Sequence, residues 1–430
     1  MSALRSVMRQ WLARSVMGSR EFRTLWVSLI ASVAGDQIFP VAVVVSLLNA
    51  GGDATTVGAV LASRWAALVL FGLLGGVWAD RLPRRHVMLA SQAFLCCVVT
   101  VGLSGVTSAW VLGGMVFLAG AAESFFRPAF QACLGSVLTP RQRPAGAALN
   151  AVSWRVGAIA GPGLGAFLVS TASVRAAFLA ALGVFTLSLC ALLRLREPAV
   201  VRTPRTTARR EIAEGVREVW QRRWIGTVIV VTALQSMLTI APVHVLLPVL
   251  AREDFGGDAF YGTSLALLSV GGLLGGIVSI VWKPRRSGLA GIAGLTVYGL
   301  VPLALWLPQT PWIACVCFAL AGFGLEVFAV QWVVSLQREV PAERLARVTS
   351  LDWIAASALT PLGLVLTGPA GAVLGIAPVL TLAGLAGVVL PLTALLTSGT
   401  TYFRSKYRQN HTNAERRVEV VSLASHYDHQ

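Results

Sequence analysis

Long apolar runs recur along the chain with little between them. They fall at roughly 24–48, 56–79, 87–107, 109–137, 146–169, 173–193, 224–250, 259–282, 288–307, 311–336, 348–368 and 372–397. A membrane-crossing helix needs about 20 apolar residues, and each run reaches that length. Strands of a membrane barrel need only about ten residues in strict alternation, a pattern these runs lack. One water-soluble core is excluded too. The chain has 430 residues, 56% hydrophobic and 13% charged, whereas soluble domains carry about 25% charge and single cores stop growing near 250–300 residues. The expectation is an all-α polytopic membrane protein with 12 transmembrane helices.

The charges orient it. The formal net charge is +16, from 35 Lys+Arg and 19 Asp+Glu. In a soluble chain that balance points to nucleic acid. Here 30 of the 35 fall on alternate sides of the runs: in the 1–23 tail, 81–85, 141–143, 194–223, 283–286, 338–347 and the C-terminal tail. Arg175 and Arg252 sit at the opposite edge, and Arg64, Arg127 and Arg155 lie inside runs. That alternation is the positive-inside rule, so both termini are expected in the cytoplasm and no nucleic-acid partner is expected. The basic edge would face anionic lipid headgroups. The first run is too long for a cleaved signal and reads as a retained span.

Catalytic and metal chemistry finds little support. Cys96, Cys97, Cys133, Cys190, Cys315 and Cys317 all fall in runs and read as small packed residues. His244 alone of the five histidines lies in a run, where a packed or hydrogen-bonded role is expected. His86, His244, His411, His426 and His429 pair with no nucleophile. No Gly-rich run ends in Lys-Ser/Thr, as a phosphate loop requires. The chain reads as a non-enzyme without cofactor or metal.

A repeat divides it. Gly75, Gly76, Asp80, Arg81, Pro83, Arg84 and Arg85 at the end of the second run are echoed by Gly275, Gly276, Lys283, Pro284, Arg285 and Arg286 at the end of the eighth. Glu123 and Gln131 correspond to Glu326 and Gln331, Pro140 and Arg143 to Pro341 and Arg344, and Gly161-Pro162-Gly163 to Thr360-Pro361 and Gly363. Four echoes in matching order imply a duplicated six-helix unit. The expected organisation is a cytoplasmic tail 1–23, a bundle 24–195, a linker 196–223, a bundle 224–397 and a largely disordered tail 398–430. The linker, with an amphipathic stretch near 208–222, reads as a solvated connector. Parallel six-helix repeats around a midplane pathway describe many secondary transporters.

These residues carry a family resemblance. Gly76, Asp80, Arg81, Arg84 and Arg85 fit the loop signature of the major facilitator superfamily, with Pro83 where glycine is common. The sequence resembles that superfamily over residues 20–400. Its second copy has Ile280 or Val281 where the Asp would stand. Glu21-Phe22-Arg23, Gly35-Asp36-Gln37 and Phe125-Phe126-Arg127-Pro128 look like a narrower group. That group contains enterobactin-type siderophore exporters, macrolide and multidrug efflux proteins, and lysophospholipid transporters. The resemblance implies the major facilitator fold in a bacterial-type plasma membrane and a cytoplasmic latch at Gly76, Asp80, Arg81, Arg84 and Arg85. Gly161, Pro162, Gly163 and Gly165 look like the exporters' packing and bending motif.

Charges at membrane depth point to the chemistry. A charge at helix centre costs roughly 2.5–3.5 kcal/mol, so such residues face the interior or water. Asp36, Glu123 and Glu326 are the candidate proton-coupling or substrate-cavity carboxylates, and Arg64 and Arg127 their candidate counter-ions. Glu123 and Arg127 are four apart and can share a helix face. Arg155 reads as structural, and Asp352 as a cap or pair. Trp65, Trp154, Trp332 and Trp353 can line a cavity or anchor at the interface. The expected function is proton-coupled export of a hydrophobic or amphiphilic small molecule by a monomer. A lipid or lysophospholipid flippase and a non-transporting membrane sensor or scaffold are the alternatives.

Overall fold

A computed structural model describes residues 16–139, 142–196, 217, 219–306 and 311–403. For a few stretches inside helices, chiefly 73–81, it describes the backbone alone. The helices are α1 (Arg20–Asn49), α2 (Ala54–Arg81), α3 (Arg84–Leu103), α4 (Ala109–Val137), α5 (Arg143–Thr171) and α6 (Val174–Arg194). After them come α7 (Arg223–Glu253), α8 (Asp258–Val281), α9 (Ser287–Leu305), α10 (Pro311–Glu339), α11 (Ala342–Leu374) and α12 (Ile376–Ala394). A 3-10 turn at Thr400–Tyr402 follows. Among the described residues, eleven of these helices are long and apolar enough to cross a membrane. The other, α5, has the length at 29 residues, but its first half carries Arg143, Asn150 and Arg155. Most of the amphipathic stretch expected at 208–222 lies outside the described residues.

Short polar and glycine signals set the ends. Ser19 Oγ caps α1 by accepting the Phe22 N–H at 3.3 Å. Asp53 caps α2, and the Thr56 N–H donated to it at 2.9 Å holds its carboxyl below the usual carboxylate range. Between α11 and α12 the break comes at Gly375, whose φ of 89° few other residues adopt. The sequence placed that break before residue 372. The helix instead continues through Pro369, because neighbouring helices re-satisfy a backbone opened by proline in a membrane.

Packing repeats with an offset of six helices. In the first set α1 packs on α5 and α6, α2 on α4, and α3 on α4 and α6. In the second, α7 packs on α11 and α12, α8 on α10, and α9 on α10 and α12. Two extensive seams join the sets, α5 with α8 and α2 with α11, and these exchange under the same offset; α7 adds smaller contacts to α1 and α2.

Lipid on the outside gives apolar side chains no reason to turn inward. Leu70, Val281, Val373 and Leu396 are among many large apolar side chains on the surface. Exposed tryptophans mark the two ends: Trp110, Trp306 and Trp312 at one, Trp220 and Trp282 at the other. The first end, with the 50–53 and 254–257 connections, is called distal here. The second, where Arg20 and Phe403 lie, is called proximal. Helices associate through small residues that admit a neighbouring backbone. Added Cβ atoms on Gly271 and Gly322 would run into Ala319 O of α10 and Leu268 O of α8. Gly294 of α9 and Gly324 of α10 face each other in the same way. Gly324→Leu should therefore destabilise the fold by ~1–3 kcal/mol or more through overpacking. Gly114→Ala, which points into open space, should leave the unfolding midpoint in detergent unchanged.

Candidate functional site

The buried apolar residues form one cluster at the distal end and two at the proximal end. The distal cluster draws on both sets, from Ile38, Val60 and Ala122 to Leu246, Leu265 and Leu364. Proximally, Phe22, Leu29, Phe126 and Phe130 belong to one cluster. Trp224, Val228, Trp332 and Phe403 belong to another. Among the described residues the molecule is thus closed distally and forked proximally.

Polar features gather where the core forks. Asp36 of α1 lies between Val33 of one cluster and Ile38 of the other. Glu123 of α4 lies between Ala122 and Phe126. Glu326 of α10 lies between Ala321 and Trp332. In α7 the same level holds a π turn, Ser236–Ile240. Pro242 follows it and cannot donate to the carbonyl four residues back, which favours a widened turn.

Asp36, Arg64, Glu123 and Arg127 form one group. Arg64 Nη2 donates to Glu123 Oε2 at 2.7 Å, and Arg64 Nη1 donates to the Asp36 backbone carbonyl at 3.1 Å. Arg127 Nη1 stands 3.8 Å from Glu123 Oε1. Asp36 and Glu123 are buried, at 5% and 7% exposure. The Arg127 side chain is 39% exposed. Its guanidinium lies 4.3 Å from the Trp154 ring centroid of α5 and 5.9 Å from that of Trp353 on α11. Gly120 makes the Arg64 contact possible, since a Cβ there would sit 2.5 Å from Arg64 O. Glu326 stands apart from this group, buried at the α8–α10 seam with its Cγ over Gly276.

The other candidate residues have structural surroundings. Arg84 Nη1 donates to Ala132 O at 2.9 Å, and Arg85 donates to Leu192 O and Leu193 O at 3.1 and 2.8 Å. Cations at the last carbonyls of α6 complement its dipole. The side chains of Asp80, Arg81 and Arg155, and the surroundings of Gly76, lie outside the described residues. In α5, which contains Pro162, Gly161 and Gly165 make room for Gln37, Ile38 and Val41 of α1. Gly163 faces the other way, where a Cβ would lie 3.0 Å from Ala266 Cα of α8. Asp352 accepts from Trp332 Nε1 at 3.0 Å. Its partner belongs to an aromatic cluster with Phe328, Trp224 and Phe403. Two expectations need correction. His244 is exposed on α7. Of the cysteines only Cys133 is buried, while Cys97 and Cys190 are exposed, as apolar thiols in contact with lipid can be.

One clamp escaped the sequence reading. Arg252, one of the two basic residues at the less basic edge, is held by both oxygens of Asp258 at 2.6 and 2.8 Å. Its Nη2 also donates to Asn49 Oδ1 at 2.6 Å. It therefore ties the end of α7 to the end of α1. Nearby, Gly58 and Gly368 let α2 and α11 touch at Leu364 and Thr55. On the flank, an apolar groove of about 670 Å³ runs between α1, α5 and α8, past Ile30, Val156, Leu164, Phe167 and Val270.

The Major Facilitator Superfamily profile matches residues 25–357. The chain belongs to the major facilitator superfamily. It is 27% identical over 352 residues to the multidrug efflux pump Tap of Mycolicibacterium fortuitum, covering 78% of this chain and 85% of that protein. It is 23% identical over 370 residues to macrolide efflux protein A of Streptococcus pyogenes, covering 81% and 88%. It is 25% identical over 389 residues to enterobactin exporter EntS of Salmonella typhimurium, covering 88% and 92%. Its fold matches a bacterial homolog of the human lysosomal transporter Spinster in an inward-facing, unoccupied conformation. That match has a TM-score of 0.68 at 17% identity, over 90% of this chain and 96% of that one. The family is one of multi-pass membrane transporters.

Arg64→Ala leaves Glu123 buried without its near partner and should destabilise by about 3–5 kcal/mol. The double replacement Arg64→Leu, Glu123→Leu should recover most of that loss in thermal unfolding in detergent. Arg252→Ala should loosen the distal closure. A cysteine introduced by Thr55→Cys should then be labelled faster by an impermeant maleimide.

Proposed function

We propose that the chain is a secondary active exporter of a hydrophobic or amphiphilic small molecule in a bacterial-type plasma membrane. It spans that membrane twelve times, with both termini cytoplasmic, as two six-helix bundles at 24–195 and 224–397. Residues 196–223 link them, and the unit works as a monomer. The observation that carries this reading is the forked core with buried carboxylates at the fork. A distally closed, proximally forked bundle is one half of a rocker-switch cycle, here open to the cytoplasm. The relatives named as multidrug, macrolide and siderophore efflux proteins support export as its direction.

Protons supply the drive in this proposal. Glu123 is answered by two guanidinium groups, and the nearer of them, Arg64, also holds the backbone carbonyl of buried Asp36. A proton taken up by either carboxylate unbalances the group and releases a guanidinium to move. Binding cargo from the cytoplasm and protons from outside would alternate at that group. The proximal Gly76, Asp80, Arg81, Arg84 and Arg85 would latch the outward-open state, and Glu326 would take the corresponding place in the second bundle.

Proteoliposomes loaded with a fluorescent drug panel test this. An imposed proton gradient should drive drug movement, and Asp36→Asn or Glu123→Gln should reduce it to background. Flux indifferent to collapse of the gradient would overturn proton coupling. A second reading, a lipid or lysophospholipid flippase, is favoured by the apolar groove between α1, α5 and α8. Gradient-dependent movement of fluorescent lysophospholipid, with the drug panel static, would select it.

A further inference from the structure

We infer that the cargo site recognises an acidic aromatic group, held by the Arg127 guanidinium between the indoles of Trp154 and Trp353. The inference rests on the export reading and names the chemical class of its cargo. It follows from which charges the fork exposes and which it hides. Asp36 and Glu123 are buried, and the short ion pair goes to Arg64. Arg127 has only the longer contact to Glu123, at 3.8 Å, and keeps a 39% exposed side chain. A guanidinium carries five N–H donors in a planar fork that matches carboxylates and other anions. One contact at 3.8 Å leaves most of those donors for a ligand.

The aromatic surroundings complete the site. Trp154 is half-buried and belongs with the first proximal cluster. Trp353 is 44% exposed and comes from α11 of the second helix set. Arg127 therefore reaches across the fork, close to Trp154 at 4.3 Å and looser to Trp353 at 5.9 Å. A planar ring can stack on the exposed indole while its acidic substituent takes the guanidinium. Cation–π and aromatic contacts of this kind favour a flat, electron-rich ring beside the guanidinium. A cationic cargo meets the opposite situation. It would have to displace Arg127 or Arg64 to reach Glu123, and Asp36 is buried. An anion drawn to Arg127 would also weaken its hold on Glu123, which links cargo binding to the group assigned to the proton.

The test uses the full-length protein in detergent with two matched probes, 1-pyrenebutyrate and 1-pyrenebutylamine. Saturable energy transfer from tryptophan to pyrene reports binding. Wild type should bind the butyrate more tightly than the amine. Arg127→Gln should weaken butyrate binding on the order of tenfold or more, the loss expected of a charge-assisted hydrogen bond. Arg127→Lys, which keeps the charge without the planar fork, should fall between. Trp353→Ala should cost about fivefold and Trp353→Phe much less. The amine should be indifferent to Arg127→Gln or bind better. Equal binding of both probes by wild type, preference for the amine, no saturable butyrate binding, or no change on Arg127→Gln in a protein that elutes as wild type overturns the inference. Failure of the export reading looks different: proteoliposomes would move neither probe nor any drug, while the charge preference in binding persisted.

Discussion

In lipid, apolar burial gives helices little reason to associate, so this fold depends on close backbone contact at small residues. Gly271 and Gly322 join α8 to α10, Gly294 and Gly324 join α9 to α10, and Gly120 brings α4 onto α2. Each contact removes a side chain where two backbones meet. The seams between the helix sets are built differently at their two ends. Distally, Gly58, Gly163, Gly262 and Gly368 bring backbone against neighbour, and one apolar cluster spans both sets. Proximally the described clusters separate. The polar group needs that asymmetry. Buried carboxylates are tolerable where guanidinium groups answer them, and the fork is the level at which solvent and protein interior meet.

A conformational cycle of this kind exchanges one closure for the other. Opening the distal end would break the shared cluster, the Arg252 clamp and the α2–α11 contact, and joining the proximal clusters would offset the loss. Two states of similar free energy can be tilted by ligands with modest differential affinity. The charges at the fork are placed to supply that tilt, because they sit where the gap closes.

Much of the architecture was legible because lipid imposes contiguous apolar runs of a minimum length. Asp36, Glu123 and Arg127 were legible for the related reason that a charge inside such a run requires explanation. Partnership was less so. Helical spacing paired Glu123 with Arg127, four residues on, yet its short contact is with Arg64, 59 positions away on α2. That choice depends on Gly120 admitting the Arg64 turn, a contact between helices that no local pattern encodes. The clamp at Arg252 was not legible, because a single basic residue at the less basic edge carries no pattern that names its partners. Its role appears only when the ends of α1, α7 and α8 come together. The exposed Cys97 and Cys190 reverse a rule learned from water, where cysteine is among the most buried residue types.

The π turn in α7 carries a geometric consequence. A widened turn holds one residue more than its neighbours, which shifts the phase of everything beyond it by about 100° relative to an unbroken α-helix. The faces of α7 before Ser236 and after Ile240 are therefore offset in azimuth. Trp224 and Val228 can point into a cluster of their own set, while Val245 reaches across to Gly58 of α2. An unbroken helix would have to serve both neighbours with one stripe. The inserted residue lets a single rod mesh with two gears.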